Sequence, residues 1–201
     1  VIQVAPDQLT DVLSALQSDP QFTSVEPNYL VNMAILPVGY PDDPQYPNQP
    51  TLTAAQIYQA WDTLSIAANP GEPVLVAVVD SGIDTAHEDL VERIYTNPGE
   101  TSCVNGVDDD HNGYVDDCAG WDAVNVDNAP ADDNGHGTLM AGVIGAVTNN
   151  ATGIAGIAPN ARILPVKVLG SNGVGTHAWA AKGILYAASM GARVIYLGFA
   201  G

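Results

Sequence analysis

A chain of 201 residues, 46% of them hydrophobic, holds enough apolar material for one ordinary domain or slightly more. Five Lys+Arg against 23 Asp+Glu set the formal net charge at −18, which repels nucleic acid and anionic membrane surfaces and suits solubility or cation binding. No apolar run approaches the ~20 residues that span a bilayer, and Val1 opens the chain without a basic-then-apolar leader, so the gene product is expected to begin upstream.

In chain order, Asp7 can cap a helix in which Leu9, Val12, Leu13 and Leu16 recur at helical spacing, and Ser18-Asp19-Pro20 ends it. Phe22 to Val31 reads as extended. Residues 1–36 thus form a small α+β unit, too small to be stable alone. Residues 37–52, with Pro37, Gly39, Pro41, Pro44, Pro47 and Pro50, read as a linker. From Thr53 helices and strands alternate. Thr53 to Leu64 is a helix with Ile57, Ala60, Trp61 and Leu64 on one face. Val74 to Val79 is an unbroken apolar run, as in a strand covered on both faces. His136 to Val147 is a buried helix, Arg162 to Leu169 a strand, and Thr176 caps a helix running to Met190 and stopped by Gly191. Val194 to Phe199 is a further strand. Residues 53–201 therefore predict an α/β domain, a parallel sheet with helices on both faces.

Two segments carry chemistry. The Val78-Val79 strand ends in Asp80, followed by Ser81-Gly82, which holds a carboxylate at the rim of the sheet where ligands of open α/β folds bind. Asn134-Gly135-His136-Gly137-Thr138 puts a histidine at the mouth of a helix of small residues. Taken alone, Asp80 reads equally as a turn aspartate closing its strand and a lone His is more often structural; paired, the two match the orienter-and-base part of a catalytic triad.

No Lys or Arg lies between Arg93 and Arg162, whereas Glu100, Asp108, Asp109, Asp110, Asp116, Asp117, Asp122, Asp127, Asp132 and Asp133 all do. Within this stretch Asp108, Asp110, Asn112 and Asp116 place oxygen donors at calcium-loop spacing, with Gly113 at the sixth place and the Tyr114 carbonyl as a further donor. The twelfth place is Ala119, so the loop is not a regular EF-hand, although Asp117 can substitute. A plain solvated acidic turn is the alternative. Cys103 and Cys118 bracket the segment. Paired, they would close a loop of about 15 residues, contributing roughly 3 kcal/mol by the chain-entropy model, and would imply an oxidising compartment. Two free thiols is the other reading.

The Asp80 and His136 segments, in that order, resemble those of the subtilisin-like serine peptidases. Further pieces fall in the same order: Val25-Glu26-Pro27-Asn28-Tyr29 is similar to the end of the family's inhibitory propeptide, Asp42-Asp43-Pro44-Gln45-Tyr46 followed by Ala60-Trp61 to the start of the mature enzyme, and Gly153 to Pro159 and Val166 to Gly170 to catalytic-domain segments. The resemblance covers nearly the whole chain. It implies that Asp80 orients His136, the general base for a serine. It implies that Gly173, Val174 and Gly175 pair with extended protein or peptide substrate, while Gly198 and Phe199 line the specificity pocket. It implies a secreted zymogen inhibited by its own propeptide, and a second Ca2+ site formed by the side chains of Asp89 and Asn150 and the carbonyls of Thr148, Thr152 and Ile154, completed by Asp43. Asp122 and Asp127 are candidates for a third. Some members carry an insert like the 108–117 loop.

The sequence departs from the family at identifiable places. No Gly-Thr-Ser-Met-Ala-like segment occurs, so the nucleophilic serine and the oxyanion Asn are expected beyond Gly201, and the sheet is expected to be truncated at its last strand. Leu139 stands where a second His is usual. Tyr196 and Gly198 replace an Asn and a Ser at the substrate wall. The principal reading is a fragment of a calcium-stabilised serine endopeptidase, itself inactive. The alternative is a pseudo-peptidase or calcium-dependent binding module on the same fold.

Overall fold

The computed structural model describes residues 9–21, 41–63 and 71–200. The extended segment from Phe22 to Val31, the Asp7 cap, Leu64, and Pro37 and Gly39 of the linker lie outside the described residues. The chain divides into two compact units, Val1–Tyr40 and Pro41–Gly201. In the first, helix α1 spans Leu9–Gln17 and ends before the expected Ser-Asp-Pro break, with the Ser18 hydroxyl bonded back to the Ser14 carbonyl at 2.8 Å.

The second unit opens with a packed segment. Asp43, Tyr46 and Leu52 are buried, so the proline-rich run is seated from Pro41 onward. The single helix expected over 53–64 is two: α2, Pro50–Ala54, and α3, Ile57–Thr63, separated by Gln56 at φ 55°. The break follows from tertiary anchors. The Gln49 side-chain amide bonds both the N–H and the C=O of Ala155, and the Trp61 indole donates to the Ile157 carbonyl. Two fixed points on one neighbouring strip outweigh the local preference for a continuous helix.

Strand β1, Val74–Asp80, is the centre of the sheet. Its neighbours are β3, Ala161–Lys167, on one side and β4, Val194–Leu197, on the other, while β2, the two-residue Trp121–Asp122, pairs outside β3. Every ladder is parallel, which requires long crossovers. The side chains of β1 alternate between two cores. Ala77 and Val79 face Leu164, Val166, Trp121 and Tyr186, whereas Val76 and Val78 face Ile163, Leu90 and Ala141. Helix α5, His177–Ser189, covers the first face and α4, His136–Gly145, the second. The expected two-sided burial of a parallel strand is therefore present. Among the described residues β4 is an edge of the sheet, and Val194 and Leu197 on it are exposed.

Helix α5 keeps its sequence-level signals. The Thr176 hydroxyl accepts the Trp179 N–H at 3.2 Å, and Gly191 at φ +78° follows the helix end. Gly183 faces the sheet so closely that a methyl there would meet Val168 Cγ1 at 2.6 Å and Val166 Cγ1 at 3.0 Å. Gly183→Ala gains about 1 kcal/mol in helix propensity but overpacks a fully buried interface at a cost of about 1–3 kcal/mol. The substitution is expected to lower the urea midpoint without changing the m-value. A raised midpoint would show that the sheet yields to α5.

Candidate functional site

Asp80 ends β1 and is fully buried. Its carbonyl accepts the N–H groups of Val168 and Leu169, which fixes the strand end, and the Ser81 N–H donates to Oδ1 at 2.7 Å. The remaining capacity of the carboxylate goes to His136, whose Nδ1 stands 2.8 Å from Oδ1 and 2.9 Å from Oδ2. An ionised carboxylate only accepts, so Nδ1 carries the proton and Nε2 presents its lone pair. The imidazole is 44% exposed against 0% for its partner. One end of the pair is thus held in the core and the other faces outward.

The contact depends on close approach between α4 and the end of β1. A Cβ on Gly137 would collide with the Gly82 carbonyl and come within 3.2 Å of Asp80 Cβ. The Gly137 N–H donates to Ser81 Oγ at 3.0 Å, and Ser81 Oγ donates to Asp132 at 2.8 Å. Gly135 caps α4 at φ +99° without a side-chain bond, so the free N–H groups of the helix start go elsewhere. The His136 N–H goes to the Asn134 side chain and that of Gly137 to Ser81, while Asp132 takes that of Thr138 together with the Thr138 hydroxyl and the N–H groups of Asn134 and Gly135 just before the helix. Burial alone would raise the Asp132 carboxyl. The Thr138 hydroxyl and the Gly135, Thr138 and Asn134 N–H groups outweigh it and bring the pKa from 3.8 to about 2.

The residues expected to meet substrate flank this pair. Gly173 turns the chain at φ +74°, Val174 is exposed, and Gly175 bridges back to Leu169. The turn is tied to the His136 loop by the Asn134 side chain, which donates to the Ser171 carbonyl at 2.9 Å. The Gly198 N–H donates to the Val79 carbonyl, and any Cβ there would collide with Asp80 Oδ2. Glycine at 198 is therefore matched to this placement of the carboxylate. Phe199 packs on the α5-side core and Tyr196 on the α4-side core.

The acidic segment folds around its own carboxylates. Cys103 and Cys118 are bonded, with Cα atoms 5.6 Å apart. Asp108 accepts the N–H groups of Asn112 and Gly113, and Asp110 those of Asn112 and the Asn97 amide. Asn112 also donates to Asp117, which takes the Tyr186 hydroxyl and the Asn97 amide as well. Asp116 accepts the Asn105 and Gly106 N–H groups, and the Tyr114 ring stacks edge-on against Trp121 and Tyr186. Carboxylate oxygens of Asp108 and Asp110 come together instead with Glu100, all within 4.8 Å of one another. Glu100 is buried with no well-formed hydrogen bond to either oxygen. Its burial first, and then the charges of Asp117, Asp109 and Asp110, push its carboxyl above the usual range, the Asp109 N–H offsetting this only in part. Glu100 was not distinguished by spacing, because it precedes the loop and joins it only through the fold.

The second expected cation loop also closes on carboxylates. Asp43 and Asp89 are both 2% exposed. Asn150 spans them, its N–H near Asp43 at 3.4 Å and its amide on Asp89 at 3.0 Å, and the Ile154 N–H donates to Asp89. The Thr148 hydroxyl is buried without a partner, while the Thr152 N–H returns to the Asn150 side chain. Asp43 is raised by burial, against the Asn149 and Asn150 N–H groups that lower it. Asp122 and Asp127 are joined through their backbones, the Asp122 N–H donating to the Asp127 carbonyl. The Asp122 carboxylate accepts the Val124 and Asn125 N–H groups in its own turn.

The Asp132 cluster makes a testable contribution to stability. A carboxyl whose folded pKa is depressed stabilises fully above its unfolded value and loses that contribution as pH falls towards the folded one. Asp132→Asn is therefore expected to melt below the parent chain at neutral pH. The gap should close as pH falls from 3.8 to about 2. A gap constant across that window would mean that Asp132 holds the loop without its charge.

Comparison with known proteins accords with this arrangement. The model of the subtilase family matches residues 71–200. The thermophilic serine proteinase of Bacillus sp. (strain AK1) is 40% identical over 187 residues, 92% of this chain and 39% of the relative. Thermitase of Thermoactinomyces vulgaris is 39% identical over 162 residues, 80% of this chain and 48% of the relative. Subtilisin-like protease 1 of Plasmodium vivax is 38% identical over 158 residues, 78% of this chain and 25% of the relative. The chain spans less than half the length of these relatives, and it belongs to the subtilase family.

Proposed function

We propose that this chain carries the acid–base half of a serine endopeptidase of the subtilisin type. The observation that supports it most is the buried Asp80 carboxylate 2.8 Å from Nδ1 of a half-exposed His136. The printed names of the relatives, a serine proteinase and subtilisin-like proteases, point the same way. In this reading Nε2 takes the proton of a serine hydroxyl as it attacks the peptide carbonyl and returns it to the leaving amine, while Asp80 stabilises the imidazolium. The sequence holds no Gly-Thr-Ser-Met-Ala-like segment, and Ser81 is committed to Asp132. The nucleophile is therefore assigned to sequence outside these 201 residues. Extended substrate would pair along Gly173, Val174 and Gly175 by strand addition, with Gly198 and Phe199 on the opposite wall. Residues 1–36 would be the end of an inhibitory propeptide and 37–52 the junction to the mature enzyme. The Cys103–Cys118 bond accords with secretion, and among the described residues no helix is long and apolar enough to cross a membrane.

The reading includes Ca2+. Buried carboxylates with neither a cationic partner nor enough donors are costly, and the unpartnered oxygens of Glu100 and Thr148 stand at the two expected places. Glu100, Asp108 and Asp110 would hold one ion, with Asn112 and the Tyr114 carbonyl as further donors. Asp43, Asp89, Asn150, Thr148, Thr152 and Ile154 would hold the other. These are hard oxygen donors of the kind calcium takes. A bound ion there would neutralise loop charge and take no part in the reaction.

Two measurements test this. In the protein that carries these residues, casein hydrolysis is expected to fall by about 10⁴-fold for Asp80→Asn, with a comparable loss for His136→Ala. Calcium-dependent binding without hydrolysis would favour a binding module instead. Chelation is expected to lower the melting temperature by about 5–10 °C, and Glu100→Gln should remove part of that response. A melt indifferent to chelator would reject both calcium assignments.

A further inference from the structure

Lys167 ends β3 as the register partner of Asp80 and is 2% exposed, the one fully buried cation among the described residues. Its ion pair is not with Asp80. Nζ donates to the Ser81 carbonyl at 2.6 Å and to Asp133 Oδ1 at 2.6 Å, and the Asp133 side chain is 51% exposed. One partner is the residue directly after Asp80, and the other lies in the loop that delivers His136. Burying an ammonium costs several kcal/mol even when it is paired, and the strand around it is otherwise apolar, Ile163, Leu164 and Val166. An apolar side chain of similar length would fill the space at less cost. What it could not do is bond both segments at once.

We infer that Lys167 is a positioning residue for the acid–base pair, a charged brace that sets the distance between the Asp80 strand end and the His136 loop. The neighbouring tether, Ser81 Oγ to Asp132, joins the same two segments through a neutral donor. Together the adjacent Asp132 and Asp133 grip Ser81 from its hydroxyl and, through Lys167, from its carbonyl. The loop start is then held through both the hydroxyl and the carbonyl of Ser81, which restrains the imidazole from drifting along the rim of the sheet while its carboxylate stays buried. The inference rests on reading Asp80 and His136 as the working pair.

The test separates bracing from packing, and it reads geometry whether or not a peptide is cut. In the protein that carries these residues, the Nδ1–H of His136 is followed by proton NMR together with its exchange with solvent. Lys167→Met keeps the side-chain volume, and Asp133, half in water, is free to hydrate. Melting should fall modestly, because the buried Ser81 carbonyl loses its donor, while Nδ1–H exchange accelerates by about tenfold or more, the size expected for loosening a hydrogen bond to a charged group. Asp133→Ala should accelerate it similarly, and the double variant no further than either single one, since all three remove the same brace. Asp133→Asn, which keeps an acceptor, should fall between. An unchanged Nδ1–H signal and exchange rate in Lys167→Met would overturn the inference and leave Lys167 a packing residue. Should Lys167→Met fail to fold, Asp133→Ala decides by the same signal. The peptidase reading stands or falls separately, on hydrolysis.

Discussion

The structure is governed by how a chain with 23 acidic and five basic residues takes carboxylates out of water. Asp43, Asp80, Asp89, Asp116, Asp117, Asp122 and Glu100 are all buried, and Lys167, the one fully buried cation among the described residues, pairs with half-exposed Asp133 instead of any of them. An unpaired buried charge costs far more than any single packing contact supplies. Each carboxylate therefore demands a local solution, and the solutions divide the molecule into its working parts. Asp116 and Asp122 are met by backbone N–H groups in tight turns. Asp117 is met by the Tyr186 hydroxyl and two amides, which seats the disulfide-bonded loop on α5. Asp80 is met by an imidazole. Glu100 is met by nothing adequate.

These differences separate the carboxylates saturated by turn donors from the one paired with an imidazole. A carboxylate saturated by N–H donors has its charge used up in holding a turn. Asp80 keeps a single mobile partner, and that partner is the group most able to exchange a proton near neutral pH. The parallel sheet supplies the rigidity. Its central strand is buried on both faces and ends at the rim, so the carboxylate is fixed while the imidazole stays open to solvent. Two small-residue contacts, Gly137 against Gly82 and Gly198 against Asp80, allow three segments to converge on one point.

Much of this was legible in the sequence, and the limits have physical causes. The α/β order, the Thr176 cap and the Asp80 and His136 segments carry local signals: an apolar run ending in an acid, a histidine between glycines, a hydroxyl before a helix. The spacing over 53–64 reads as one helix because the break between α2 and α3 is imposed from outside, by Gln49 and Trp61 gripping Ala155 and Ile157. The two-residue β2 is too short to show a period. Glu100, Asp132 and Lys167 looked like ordinary charged residues because their roles exist only after distant segments meet. Spacing placed Asp116 with Asp108 and Asp110. The fold turns its oxygens to the Asn105 and Gly106 N–H groups and brings in Glu100.

The central claim is that the carboxylates gathered around the unpartnered oxygens of Glu100 and Thr148 mark the places proposed for divalent cations. Terbium(III) is a luminescent stand-in for calcium that is excited by nearby aromatic rings, and Tyr114 lies in the acidic loop, stacked on Trp121. Titrating chelator-stripped protein should give sensitised emission that calcium displaces and that Glu100→Gln weakens, while Asp116→Asn leaves it nearly unchanged. Emission that is absent, or that follows Asp116 and ignores Glu100, would contradict the account.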